Sequence, residues 1–348
     1  MNDSIDLNSM VKPIPGANCL IDNDYLIWCG SVAKHKNGVY YMFYARWPRK
    51  FGYESWVATP EIALAKANNS QGPYKHVKVI LPARGNHFWD GCATLNPMIL
   101  PYKGKYYLFY IGLSAPDEIP NPLKNKNPIW WKFRNSQRIG VAVASNPEGE
   151  WKRFDKPVLD VSKDSTAADA MLVTNPAVTV DNKGKVVLVY KQVCKNGTYR
   201  GGRVSYGVAF AKSPLGPFEK QNKLLFQTPG SEKNWMVAED PFITFQNNRF
   251  YALTRDVVGL FTGDAGAITL FTSTDALDWK PAPNPKVLSS KIFWENGQQT
   301  DDHLERPFLY FEKGVPKFLF GAMGIKKREH ACNVAIPLTS GNQLINSK

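Results

Sequence analysis

Residues 96–112 read NPMILPYKGKYYLFYIG: a short apolar strand, a turn carrying Lys and Gly, and a second strand dense in aromatics. That is the grammar of a β-hairpin. It returns as SVAKHKNGVYYMFYARW (31–47), NPAVTVDNKGKVVLVYKQ (175–192), DPFITFQNNRFYALTRD (240–256) and RPFLYFEKGVPKFLFGA (306–322). Aligned on the residue before proline, the five units fall at Gly30, Asn96, Asn175, Asp240 and Arg306, separated by 66, 79, 65 and 66 residues. A repeat of this length is one supersecondary unit, which buries its apolar faces only by packing against its neighbours.

Each hairpin is followed by a second pattern. EIALAKANNSQGPYKH, RIGVAVASNPEGEWKR, SYGVAFAKSPLGPFEK, AITLFTSTDALDWKPA and the shorter HACNVAIPL alternate in polarity, and the first four end in a Gly, Pro or Asp turn and an aromatic. Each unit therefore supplies about four strands. The expected fold is all-β: a five-bladed β-propeller of four-stranded antiparallel blades around a central channel, forming one domain over 1–348. The blades are expected near 22–80, 88–160, 167–226, 234–288 and 300–340. The fifth unit ends soon after its third strand, so KPIPGANCLI (12–21) is expected to add the missing outer strand and close the ring.

Composition agrees with a large core: 43% of residues are hydrophobic, 13% aromatic and 21% charged. No run of eighteen apolar residues occurs, so no membrane partner is expected. The opening MNDSIDLNSM lacks a basic segment followed by an apolar one, and no signal peptide is expected within it. Five scattered cysteines, Cys19, Cys29, Cys92, Cys194 and Cys332, show no metal-ligand spacing and read as free thiols. Lys and Arg exceed Asp and Glu by 43 to 30, a net charge of +13. Surface solubility explains such an excess, as does attraction to a polyanion. Without a basic block or RNA-binding motif, nucleic acid ranks below an acidic polysaccharide.

In a propeller the innermost strands begin at one mouth of the channel, so side chains just before the five prolines or their equivalents converge there. Six residues back from Gly30, Asn96 and Asn175 stand Asp24, Asp90 and Asp169. The last two units carry Glu239 and Glu305 instead, with His303 close by. Crowded carboxylates push one another's pKa values apart, which provides an acid and a base at one pH. Asp24, Asp90 and Asp169 read equally as turn caps, Asp240 as a turn-capping or orienting group, and Glu305 as the partner of Arg306. Arg46, Lys191, Arg200, Arg203 and Arg255 follow the inner strands and would hold an anionic group, or pair with these acids. No metal or other cofactor is called for by ligand spacing, although His303 and the carboxylates leave a divalent cation in the channel open. The Pro- and Asn-rich insertion at 114–137 carries Trp130 and Trp131, suited to sugar stacking or to docking on a blade edge.

Five repeats, the YYMFYARW hairpin and the AEDPF motif together resemble the five-bladed glycoside hydrolases, a superfamily that includes families 32, 43 and 117. The resemblance spans nearly the whole chain. In families 32 and 43 the general acid lies in a Glu-x-Pro motif, which falls on Glu239. Their first-blade base falls on Gly30 and their second-blade helper on Asn96, neither of them acidic, so Asp24 or Asp90 would have to serve as base. HLERPF is similar to the His-Glu-Arg-Pro motif of family 117, with Leu304 at the histidine position and His303 one residue away; RWP at 46–48 and EIALA also resemble that family. The resemblance implies an exo-acting, inverting glycoside hydrolase. It would remove the terminal sugar of an acidic or anhydro-sugar-containing oligosaccharide of algal or plant cell-wall origin, in a secreted or periplasmic setting. Catalysis would fall to Glu239 with Asp90 or Asp24, and binding to Asp169, His303, Glu305, Arg306, Asp240, Arg255 and Lys191. A carbohydrate-binding propeller without activity is the alternative, favoured by the missing Asp at Gly30.

Overall fold

The five hairpins form the inner halves of five antiparallel sheets in a computed structural model, which describes residues 5–85, 87–114, 124, 127–300, 303–325 and 328–339. The first blade runs outward through Tyr25–Lys34, Tyr40–Pro48, Glu61–Ala67 and Lys75–Leu81. The third comprises Leu172–Val180, Val186–Val193, Val204–Ala211 and Glu219–Gln221; the fourth comprises Ala238–Gln246, Arg249–Asp256, Ile268–Ser273 and Lys280–Leu288. The second has three full strands, Ala93–Tyr102, Lys105–Leu113 and Arg138–Ala144, with isolated bridges from Val143 to Lys152 and Ile139 to Leu159 along its outer edge. In the fifth, Glu305–Glu312, Val315–Ile325 and His330–Pro337 are completed by Cys19–Leu20 from the N-terminal segment, with Cys19 opposite Val334 and Leu20 opposite Asn333. The innermost strands of neighbouring blades touch all the way round, and this closes the propeller.

Local sequence explains the hairpins. Lys103–Gly104, Asn247–Asn248 and Lys313–Gly314 all have positive φ at both central positions, the backbone of the two-residue turn that matches strand twist. Between blades, strands buried on both faces carry apolar runs, as in the VVLVY that opens Val186–Val193 before Lys191 and Gln192. Gly112 and Gly140 let the second blade pass close beneath Trp89: a Cβ on either would lie 2.3 Å from the indole.

One irregularity recurs in every blade and builds the site. Cys29, Asn96, Asn175, Asp240 and Arg306 all adopt the left-handed conformation, with φ between 51° and 57°. At each, pairing between the first two strands slips in a β-bulge. Bulges re-aim side chains, and non-glycine residues held at positive φ cluster where function needs them. The first-blade equivalent of Asn96 is therefore Cys29, not Gly30; Gly30 takes the place held elsewhere by proline, a shift that a blade without the proline conceals.

Candidate active site

The bulges stack two rings of side chains on the propeller axis. The outer ring comprises Trp28, Leu95, Thr174, Glu239 and Glu305, all facing a funnel of about 330 Å³. The inner ring is the left-handed set itself, joined by hydrogen bonds running one way round. The Cys29 thiol donates to Asn96 Oδ1 (2.8 Å), the Asn96 amide to Asn175 Oδ1 (3.1 Å), and the Asn175 amide to Asp240 Oδ1 (2.9 Å). Arg306 Nε meets the same Asp240 oxygen at 3.2 Å. This ring floors the funnel. Burial raises the Asp240 carboxyl to about 6; Arg306 opposes the shift and the neighbouring Glu239 charge adds to it. Asp240 is thus an orienting group beneath the site, held by its neighbours on both sides.

One wall of the funnel alternates in charge across blades five, four and three. Arg328 Nη2 meets Glu305 Oε1 at 2.9 Å, and Arg255 Nη1 lies 3.9 Å from the same oxygen. Arg255 Nη2 is bonded to Glu239 Oε2, and Lys191 Nζ lies 2.6 Å from Glu239 Oε1. His303, outside the funnel lining, backs this wall, its Nε2 2.8 Å from Arg255 Nη1 and 3.2 Å from Glu305 Oε1. Glu54, on the 3-10 turn Tyr53–Val57 of the first blade, extends the wall beyond Arg328, which stacks 4.4 Å over the Tyr53 ring.

These neighbours divide the acids into two classes. Burial alone would raise the Glu239 carboxyl, but Lys191 and Arg255 more than offset it and hold the group ionised, far below the usual range. Glu305 is drawn down as well, against its own burial, by His303 and Arg255. Glu54 goes the other way, raised by burial, with Arg328 opposing. The free site therefore holds two carboxylates ionised and one carboxyl, Glu54, that takes up a proton more readily. This differs from the proton-donor role that the Glu-x-Pro resemblance implies for Glu239.

The opposite wall is aromatic. Helix Pro128–Asn135, capped by Asn127 with proline in its first turn, brings Trp130 and Trp131 over the second blade. The Trp130 indole donates to Glu54 O at 2.9 Å and packs edge-on against Trp56, fixing the helix to the first blade. Both tryptophans also face the funnel, so docking and lining are combined. The rest of the insertion, 115–123 and 125–126, lies outside the described residues.

Three expected carboxylates do not face the funnel. Asp24 is exposed in a separate depression with Asn23, Tyr25, Pro48, Arg49 and Lys50. Asp90 is fully buried between Arg84 (2.6 Å), Arg153 (3.3 Å) and the Tyr110 hydroxyl (2.8 Å), fastening the second blade. Asp169 is buried against Lys220 of the third. Asp90 and Asp169 precede the strands Ala93–Tyr102 and Leu172–Val180, and their carboxylates turn away from the axis toward those cations. Arg46 pairs with Glu61, and Arg203 with Gln227 and a backbone carbonyl, outside the funnel lining. Glu239, Asp240, Glu305, Arg306, Arg255 and Lys191 do line it. Sequence reasoning missed Glu54, Arg134 and Arg328, which come from turns and an inserted helix rather than from the repeat. The YESWV aromatics beside Glu54 were the available signal. Among the described residues no group of three or more His, Cys, Asp or Glu is arranged to hold a metal ion.

No family model and no curated protein matches the chain. Solved structures do. A complex of BT0996 with RGII superposes with a TM-score of 0.70 at 14% identity, over 98% of this protein and 95% of that one. A protein described as a glycoside hydrolase gives 0.69 at 15% identity, over 96% and 92%. Zg3597, a family 117 glycoside hydrolase of the marine bacterium Zobellia galactanivorans, gives 0.60 at 19% identity, over 94% and 89%. The protein thus has the five-bladed fold found in glycoside hydrolases.

Proposed function

We propose that the protein is a glycoside hydrolase that takes the terminal sugar of an oligosaccharide into the axial funnel. The observation carrying this reading is the carboxylate pair Glu239 and Glu305, spanned by the single guanidinium of Arg255, opposite an aromatic wall. Aromatic faces suit the apolar side of a sugar ring, and paired carboxylates suit cleavage of an acetal. A volume of about 330 Å³, closed below by the inner ring, suits one end of a glycan rather than a strand passing through, hence exo action. Fold likeness to glycoside hydrolases, one of them of family 117, and to a complex with RGII supports a carbohydrate of algal or plant cell-wall origin. Such a substrate implies work in a secreted or periplasmic setting.

In the proposed mechanism Glu239, held ionised, takes a proton from the water that attacks the anomeric carbon, while Glu54 protonates the departing oxygen on the other face. Arg255 and Glu305 hold Glu239 in place. Room for a water between base and sugar means inversion, with acid and base about 6.5–9.5 Å apart, against about 5–5.5 Å for retention. Aryl glycosides test the roles. Loss of the acid costs roughly 10²–10⁴-fold on ordinary leaving groups, and Glu54→Gln should suffer that loss on an oligosaccharide yet keep turnover on a dinitrophenyl glycoside, which leaves unaided. Glu239→Gln should lose both, with azide restoring the activated substrate. Equal turnover of Glu239→Gln and the parent removes Glu239 from the reaction.

A second reading, carbohydrate binding without hydrolysis, is favoured by Cys29 at the inner-ring position of the first blade, immediately before the proline equivalent, where the resembled families carry their base. Sugar binding with no product on a panel of oligosaccharides and aryl glycosides would decide for it.

A further inference from the structure

The funnel holds more positive charge than its acids neutralise. Four of its five cations have carboxylate partners: Lys191 and Arg255 at Glu239, Arg306 at Asp240, and Arg328 at Glu305. The fifth, Arg134, reaches no carboxylate within ion-pair distance among the described residues. Its side chain lines the funnel from helix Pro128–Asn135 and the residue is only 7% exposed. Among the described residues its two hydrogen bonds both leave from Nη1, to Asn135 Oδ1 at 3.1 Å and to Arg200 O at 3.5 Å. Its guanidinium carbon sits over the Trp131 ring, 5.3 Å from the centroid.

A buried charge without a partner is expensive, and burial lowers the Arg134 pKa to about 10 even with Glu239 opposing the shift. The cost is recovered when an anion arrives. Because Nη1 is occupied, the Nε–Nη2 edge remains, and two parallel N–H groups there match the two oxygens of a carboxylate. A buried cation with that edge unused fits a negatively charged ligand.

We propose that Arg134 is the anchor for a carboxylate carried by the sugar in the funnel, so that the ligand class is a terminal uronic acid. This rests on the funnel being a sugar site, and is tested by binding so that it stands apart from turnover. With quenching of the lining tryptophans or calorimetry as readout, glucuronate and galacturonate are compared with glucose, galactose, the methyl esters of the two uronates, and galactose 6-sulfate, at neutral pH and low salt. One uronate should bind at least about 10-fold more tightly than its neutral counterpart and its ester, the scale of a charge-assisted bidentate contact. Arg134→Gln should abolish that preference, and Arg134→Lys should restore part of it. Equal binding of acid and ester by the parent protein overturns the proposal whatever the variants do. So does a preference that survives Arg134→Gln, or a sulfate bound more tightly than either uronate. If instead no substrate is ever cleaved while the preference and its dependence on Arg134 hold, the hydrolase reading fails and the anchor stands.

Discussion

Glu239→Gln should destabilise the protein as well as disable it, and by a magnitude the geometry sets. The Glu239 side chain is 15% exposed and its partners Lys191 and Arg255 are 11% and 13% exposed. Removing one member of such a buried pair costs about 3–5 kcal/mol, since the remaining charge is stranded. Glutamine keeps a neutral acceptor and Arg255 keeps Glu305 at 3.9 Å, so the lower end, about 3 kcal/mol, is expected, falling mainly on Lys191. At roughly 2 °C per kcal/mol for a large domain the melting temperature should drop by about 6 °C. Lys191→Met should cost less in the Glu239→Gln background than in the parent, because there it removes a stranded charge. The pH dependence carries a sign. Glu239 titrates in the fold below its ordinary value of 4.5, so its stabilisation is complete above that pH and is lost as pH falls below it. The gap between variant and parent should therefore be widest at neutral pH and begin to narrow as pH falls below 4.5. Equilibrium urea unfolding at about pH 7 and about pH 4 measures both. A variant as stable as the parent at neutral pH, or equal costs for Lys191→Met in both backgrounds, would refute the account of Glu239 as a buried ion-paired carboxylate.

Three further outcomes follow from the fold. Asn175→Ala breaks two links of the inner ring and puts a Cβ residue without a polar side chain at φ 51°, so about 2–4 kcal/mol should be lost in urea unfolding; Asn175→Gly keeps the backbone relaxed and should lose less, the difference measuring strain. Asp90→Asn leaves Arg84 and Arg153 without their buried partner and should cost about 3 kcal/mol or more, with sugar binding in the funnel unchanged. Removing residues 1–21 strips Cys19–Leu20 from the edge of His330–Pro337, and calorimetry should show a melting temperature lower by several degrees with aggregation through the bared strand.

How far the sequence carries differs between fold and site. Hairpin turns such as Lys103–Gly104 and the apolar alternation around them are local signals, and repeated five times they specify a propeller, because each unit can hide its faces only against copies of itself. Glu239 and Glu305 were legible as site residues because they ride on the repeat, at a position whose equivalents Trp28, Leu95 and Thr174 also face the funnel, and Lys191 and Arg255 because they stand opposite Thr174 and Glu239 on the next strand. The first-blade register was not legible, since the bulge at Cys29 depends on a backbone conformation that neither cysteine nor the following Gly30 announces. Asp90 and Asp169 share a repeat position yet miss the funnel, because Arg84, Arg153 and Lys220 draw them away, and those cations come from outside the inner-strand pattern.

The sequence by itself determined the five blades, the turns that join their strands and the acids on the fourth and fifth. Only the tertiary structure decided which side chains meet at the axis and in what charge state. Glu54, Arg134 and Arg328 reach the funnel from a 3-10 turn, an inserted helix and a hairpin loop of three different blades. Their convergence, and the field that holds Glu239 ionised while leaving Arg134 without a carboxylate partner among the described residues, are properties of distances between residues remote in sequence, which no local periodicity encodes.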